Sequence, residues 1–407
     1  MRAIRRRPLM GGLLGAVAAP AVARAQGQEL RIGALFPFSG ALALIGDESF
    51  RGLEIAVEQR NAAGGVAGRP LRLVRAEAVE PAQAAAEARR LAAQERVAAV
   101  FGTAVSALCL AATQVTELQG VPYLELGATA DAITERGFRH VFRTGPRSAD
   151  LAALAAGAIE AALAPALDAA ARALRLAILH DEGLDGQMLA AALEAEFRAR
   201  GLTLAERLTH AAQGADLGAL IQRLRAANAE IVLHAAFQND IAPFFRALEE
   251  AGWRPRMVMG AGPGYAMADT ARAIGPAFEG ALSLDVPPFA LNERFAPGAA
   301  AFQEAYKRRY GAEPRSGHSL ANHAGATVCL EAMHRAGGAE RERLRAELLA
   351  TDVPPGGTSA GWGVRFDEKG QNTRAEPVLA QWQQGRLLAV FPEAAAAAAL
   401  RARLGTG

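Results

Sequence analysis

The feature that most constrains this chain is an alternation. Short runs of aliphatic and β-branched residues are each followed by a longer segment rich in Ala, Leu, Arg and Glu. Runs flanked by helical segments read as strands buried on both faces, the arrangement of a parallel sheet covered by helices. Leu30 to Pro37, Leu71 to Ala76, Val97 to Phe101 and Val121 to Leu126 read as a first series of strands, with helices over Gly46 to Ala63, Pro81 to Gln94 and Ser106 to Gln119. A second series starts after Pro146. Its strands are Leu174 to His180, Leu202 to Leu208, Ile231 to Ala235 and Met257 to Gly260, and its helices cover 148–163, 186–200, 216–227 and 240–251. The two series predict an α/β fold of two doubly wound parallel-sheet lobes. The 407 residues, 51% of them hydrophobic, suffice to fill two cores. A faint echo, Arg90-Leu91 before Val97 and Arg223-Leu224 before Ile231, runs through both series. In open sheets of this kind ligands lie beyond the carboxyl ends of the strands. The loops at 102–106, 126–130, 181–186 and 235–239 are therefore expected to border one shared cleft.

Charge and the first residues bear on where the chain works. Arg2, Arg5, Arg6, Arg7 and Arg24 stand ahead of the first strand, and without these five the formal charge of +2 becomes −3. A slightly acidic chain offers no basic face to nucleic acid. Arg5-Arg6-Arg7, an apolar stretch from Pro8 to Val22 and then Ala23-Arg24-Ala25 read as an export signal, cleaved after Ala25. The apolar run is short for a membrane span and is broken by Pro20. Arg6-Arg7-Pro8-Leu9-Met10 also fits a twin-arginine signal, so both export routes stay open. Cys109 and Cys329 sit in apolar helical stretches and read as two buried free thiols.

Several chemistries find no support. Gly260-Ala261-Gly262-Pro263-Gly264 follows a strand, but Pro263 lacks the N–H a phosphate cradle needs, so the cluster reads as a turn. Phe36-Pro37-Phe38-Ser39-Gly40 is no dinucleotide fingerprint. His140, His180, His210, His234, His318, His323 and His334 are scattered and read as packing or surface residues, with no metal set. Neither a nucleophile elbow nor an activated cysteine is present, so no enzyme, cofactor or metal is expected. The informative spot is Phe101-Gly102-Thr103-Ala104-Val105-Ser106, where a buried strand runs into a helix opening near Ser106. The first turn of a helix carries unpaired N–H groups and partial positive charge, so a carboxylate can dock there. Ser106 can equally be a plain helix cap. Gly127-Ala128-Thr129-Ala130, at the next strand end, adds small side chains and a hydroxyl beside the same cleft.

Gly46-Asp47, Arg51-Gly52 and the turn Asn61-Ala62-Ala63-Gly64-Gly65-Val66-Ala67-Gly68-Arg69-Pro70-Leu71 carry a family likeness. Further matches are Val100-Phe101-Gly102 with Ser106, Gly120-Val121-Pro122, Phe142-Arg143-Thr144, His180-Asp181 and Phe366-Asp367-Glu368-Lys369-Gly370. From about Leu30 to Trp382 the chain resembles the branched-chain amino-acid-binding proteins of ABC transporters, type I periplasmic binding proteins related to the leucine/isoleucine/valine receptor. The resemblance implies two lobes joined by a three-segment hinge, crossed near Arg143 to Pro146, Leu282 to Pro287 and Asp352 to Gly357. The first lobe is then 29–144 plus 283–352 and the second 145–282 plus 353–390, with a tail at 391–407. In such receptors the residues matching Ser106, with Val105 beside it, and Gly127, Ala128 and Thr129 hold the ligand's α-carboxylate from the first lobe. The second lobe adds an aromatic matched by Phe237 and a glutamate that falls near Gly262, where this chain has no acid. A family tyrosine aligns with Asp185, and a family aromatic near the first helix aligns with Ile45.

An ammonium left unpaired in a closing cleft costs several kcal/mol, so the missing glutamate leaves two readings. Either Asp185 or Asp240 replaces it and the ligand is an amino acid, or the ligand is a carboxylate or amide without an ammonium; the second is the favoured one. The implied role is a monomeric periplasmic receptor that closes on a small molecule and delivers it to a membrane ABC permease. The alternative is a ligand sensor subunit of a regulatory system.

Overall fold

The computed structural model describes residues 29–211 and 216–405. The expected export segment and its cleavage point at Ala25 lie outside the described residues. Strands β1 (Leu30–Phe36), β2 (Leu71–Glu77), β3 (Val100–Gly102), β4 (Tyr123–Glu125) and β5 (Val141–Arg143) form one sheet in the order β2-β1-β3-β4-β5. All of its pairings are parallel. Strands β6 (Arg175–Asp181), β7 (Thr203–His210), β8 (Ile231–Ala235), β9 (Met257–Ala261), β10 (Leu282–Asp285), β11 (Val378–Gln383) and β12 (Arg386–Phe391) form the other, in the order β12-β11-β10-β9-β8-β6-β7. Pairing is parallel from β7 to β10 and antiparallel at the β11 and β12 edge. Strand order reverses at β1/β3 in one sheet and at β6/β8 in the other, which sets a crevice at those carboxyl ends.

Each lobe has its own apolar interior. In the first, Phe36, Leu53, Phe101, Phe142 and Trp362 are all within 1% of full burial. In the second, Leu176, Ile178, Leu233, Met259 and Leu284 fill one face of the sheet and Val232, Phe244, Tyr265 and Phe278 the other. Burial of each such side chain stabilises the fold by about 1.5–3 kcal/mol. Helix Ala43–Ala62 packs along helix His318–Arg335 so closely that a Cβ on Gly52 would stand 2.1 Å from the Ser319 carbonyl oxygen, which accounts for the glycine after Arg51. Glu48, buried at this contact, accepts from the Ser319 hydroxyl at 2.6 Å, the Tyr306 hydroxyl at 2.8 Å and the Arg315 N–H at 3.1 Å. Asn61 brackets the turn that follows. Its side chain accepts from the Leu71 N–H at 2.7 Å and donates to the Leu71 carbonyl at 2.9 Å.

The chain leaves the first sheet after β5 and enters the second lobe at helix Ser148–Ala158; it leaves β10 at Asp285 and returns to the first lobe's core. The third passage lies later than Asp352 to Gly357. Residues 353–374, expected in the second lobe, pack on the first. Val353 bridges Val364, Trp362 is fully buried in the first core, and Asn372 Nδ2 donates to the Thr144 and Gly363 carbonyls at 2.9 and 3.0 Å. The chain reaches the second sheet only at Val378. Residues 392–405 are no free tail. The Arg401 N–H donates to Gln381 Oε1 at 2.9 Å, and Leu404 is buried against the second core. Cys109 and Cys329 are buried free thiols in separate hydrophobic clusters.

Candidate ligand-binding cleft

A buried carboxylate organises the first lobe's share of the cleft. Glu125, the last residue of β4 and fully buried, accepts hydrogen bonds from the Thr103, Ala104, Gly127 and Ala128 N–H groups at 2.7, 3.2, 2.9 and 2.8 Å. One side chain thus draws both strand-end loops together. Burial pushes its pKa up, while the backbone N–H groups hold it down. Arg143 is its neighbour in register on β5 and is itself fully buried. It donates to the Ala128 and Ala130 carbonyls at 3.3 and 2.7 Å and to Gln371 at 2.7 Å. The Gly127 and Ala128 N–H groups, which the resemblance assigns to a ligand carboxylate, are therefore occupied from within. Nothing in the sequence reading marked Glu125, because it sits inside an aliphatic strand.

Ser106 is the first residue of helix Ser106–Gln119, and Val105 holds the cap position without a capping side-chain bond. The plain-cap reading of Ser106 is thereby set aside. Its hydroxyl accepts from the Ala130 N–H at 3.0 Å and donates to Asp185 Oδ1, and its N–H donates to Asp185 Oδ2 at 3.1 Å. Asp185 belongs to the first turn of helix Leu184–Arg200 in the second lobe. Its carboxylate therefore lies across the cleft between two helix N-termini, where partial positive charge favours an anion. Burial outweighs these bonds and raises its pKa to about 6, with Asp181 and Glu125 adding repulsion.

Around this bridge a cavity of about 50 Å³ remains. Gly127 and Thr129 of the first lobe line it, as do Asp185, Phe237, Ala236 and Leu189 of the second. All four expected loops thus meet. The Thr129 carbonyl also accepts from the Ser148 N–H at 2.8 Å, tying the loop to the second lobe's first helix. Ala128 and Val105 are buried in the first lobe's core, and Phe237 packs against that cluster from the other side. Ile45 does not line the cavity; it joins Ala104 and Met267 in a small apolar contact between the lobes. Arg315 closes another edge, 3.1 Å from Asp47 and 3.7 Å from Asp269, while its carbonyl accepts from the Ala268 N–H. Asp240 stands outside the cavity lining, in the first turn of helix Gln238–Glu250, with its pKa raised to about 6 by burial.

Gly262, His318 and Asp285 also reach the cavity, and sequence reasoning passed over the last of them. Gly262 has φ +99 and ψ 165, a conformation open to glycine alone, so no acid can stand there without strain. Leu284 pairs with Ala261, which places Asp285 one strand over from Gly262. Asp285 lines the cavity, and His318, read above as a packing histidine, lies with Nε2 3.3 Å from it. The available signal was a charged residue closing an otherwise apolar strand.

The family model for periplasmic binding proteins matches residues 29–386. The Leu/Ile/Val-binding protein homolog 7 of Brucella suis biovar 1 is 42% identical over 385 residues, covering 94% of this chain and 95% of that one. Among solved structures, the leucine-binding protein LivK of Thermotoga maritima superposes with a TM-score of 0.77 at 22% identity, covering 90% of this chain and 98% of its own. A solute-binding protein of an R. palustris ABC transporter, in complex with benzoate, superposes with a TM-score of 0.74 at 20% identity over 92% and 99%. Two parallel-sheet lobes facing across a cleft, a match along nearly the whole described chain and this level of identity lead to one assignment: the chain belongs to the periplasmic binding proteins, solute-binding rather than catalytic, in the family of the Leu/Ile/Val-binding receptors.

Proposed function

We propose that the chain is the periplasmic solute-binding subunit of an ABC importer, and that it takes a small ligand bearing a carboxylate or amide, an amino acid or a related organic acid, into the cleft between its lobes. The observation that carries this reading is the seat of the Asp185 carboxylate on Ser106. It supports an anion site at a helix mouth that is completed only when the second lobe arrives. Contacts present in one conformation alone bias the equilibrium toward that conformation. A ligand held at Ser106, Gly127 and Thr129 on the first lobe recruits Phe237 and the 181–186 loop, the chain turns about its three connecting segments, and the closed monomer docks on a permease. Val105 and Ile45 serve this site as packing.

The test begins with a native mass spectrum of the purified protein, which identifies a co-purified small molecule. Calorimetry with that molecule then measures Ser106→Ala and Thr129→Val. Each loses a hydroxyl from the site and is expected to weaken binding by about 1–2 kcal/mol; unchanged affinity in both removes this helix mouth from the site.

A further inference from the structure

We infer that Asp185 is a built-in competitor for the ligand: its carboxyl group takes the place of a ligand's carboxylate on Ser106, the empty receptor closes on itself, and binding proceeds by displacement. The inference rests on the receptor reading above and goes beyond it, since it sets Asp185 against the ligand rather than beside it. Three observations carry it.

First, the Ser106 seat has two bonds to give, and Asp185 takes both. The Ser106 N–H donates to Oδ2 at 3.1 Å and the hydroxyl donates to Oδ1. Among the described residues Asp185 makes no other hydrogen bond or ion pair, so its polar contacts all lie outside the lobe that carries it. An acidic side chain in the first turn of a helix commonly accepts from that turn's own free N–H groups. This one is committed across the cleft instead.

Second, the space left is too small for a ligand. With Asp185 on its seat the cavity holds about 50 Å³, against the roughly 300–1,000 Å³ of pockets that enclose a small molecule. Asp185 lines that space together with Leu151, Leu189 and Phe237. A ligand head on Ser106 needs the same donors and the same volume, so the two occupants exclude one another.

Third, protein atoms alone join the lobes. Ile45 and Ala104 of the first lobe meet Met267 of the second, all three buried. Met188 and Phe237 of the second lobe pack on the first lobe's cluster around Val105 and Leu108. Arg315 of the first lobe lies 3.7 Å from Asp269 of the second. Contacts of this kind populate a closed form ahead of any ligand, and the two bonds from Ser106 to Asp185 add to them.

Competition for one seat has a definite sign. The apparent affinity of a carboxylate ligand falls by the fraction of molecules whose seat is free, so Asp185 seated about nine-tenths of the time weakens binding about tenfold. Removing a competitor tightens binding, whereas removing a residue that touches the ligand weakens it. Asp185→Ala and Asp185→Ser, each confirmed folded by its melting curve, both remove the carboxyl group. They are compared with the wild type at pH 5.5, below the value of about 6 to which burial raises this carboxyl. Small-angle scattering without added ligand is expected to give a larger radius of gyration for both variants. Calorimetry with leucine, benzoate and acetate, the last being the smallest occupant of the seat, is expected to show at least one of them bound about tenfold more tightly by both variants. Dimensions equal to those of the wild type, affinities unchanged or lowered, or a vacated seat that takes none of the three overturns the inference. The receptor reading is judged separately. A small-molecule adduct in the native mass spectrum after incubation with a cell extract keeps it whatever the Asp185 variants do, and no adduct from any source removes it.

Discussion

Glu125 shows how much one side chain can decide. Its two oxygens receive four backbone N–H groups from the two loops that follow β3 and β4, which adds to the single bonds from the Leu126 N–H to the Gly102 carbonyl and from the Ala130 N–H to the Ser106 hydroxyl. Glu125→Gln keeps the shape but replaces one acceptor oxygen with an NH2 that faces N–H groups, and it leaves Arg143 buried beside a neutral neighbour. Loss of charged hydrogen bonds together with newly unpaired donors costs about 2–4 kcal/mol. The expected outcome is a melting transition several degrees lower in a calorimetric scan, with ligand affinity falling too, because Ala104, Gly127 and Thr129 line the cavity from these same loops. A variant with wild-type melting and weakened binding would contradict the account, since here stability and site geometry rest on the same bonds.

At the level of elements, the turn from β9 into helix Pro263–Ala266 explains why the family's acid is missing. Gly262 lies in a region of backbone space reserved for glycine, and a Cβ there would stand 3.1 Å from the Ala236 carbonyl oxygen. Gly262→Glu, the substitution that restores the family residue, is expected to cost about 1–3 kcal/mol of stability without tightening leucine binding; a gain in affinity, read by calorimetry, would show that the turn can adapt. This turn also marks where sequence reading reached and where it stopped. Strands such as Ile231–Ala235 and helices such as Ser106–Gln119 were legible to the residue, because their signals are local: an aliphatic run, or a periodic segment closed by Gly120. The four loops bordering the cleft followed from the carboxyl-end rule applied to those strands. Asp285 was hidden because Gly262, next along from the Leu284–Ala261 pair, belongs to another segment, and adjacency in a sheet is not written in local pattern. Residues 353–374 were placed in the wrong lobe for a related reason. They are held by isolated bridges and by side chains such as Gln371 and Asn372, whose bonds to Arg143 and Thr144 span more than two hundred residues.

For the whole molecule, the same Asp185 that marks the cleft also makes closure respond to pH, in a direction that can be worked out. Its carboxyl has an ordinary pKa of 3.8 in water and about 6 where the lobes meet. The closed form therefore holds the proton more tightly than a solvated, open form does, so acid favours closure. That contribution is fully present below about pH 4, is lost as the pH rises through 6 and is absent above it. A shift of this size is worth at most about 3 kcal/mol. Asp181, also raised by burial, and Asp240, raised to about 6, face the same end of the second lobe, so the measurement has to isolate one group. Small-angle scattering of the protein without added ligand, compared at pH 4.5 and 7.5, is expected to give a smaller radius of gyration in acid, with Asp185→Asn staying compact at both because its amide needs no proton to be buried. If the wild type and Asp185→Asn show the same pH dependence of their dimensions, the carboxylate on Ser106 does not govern how the two lobes close.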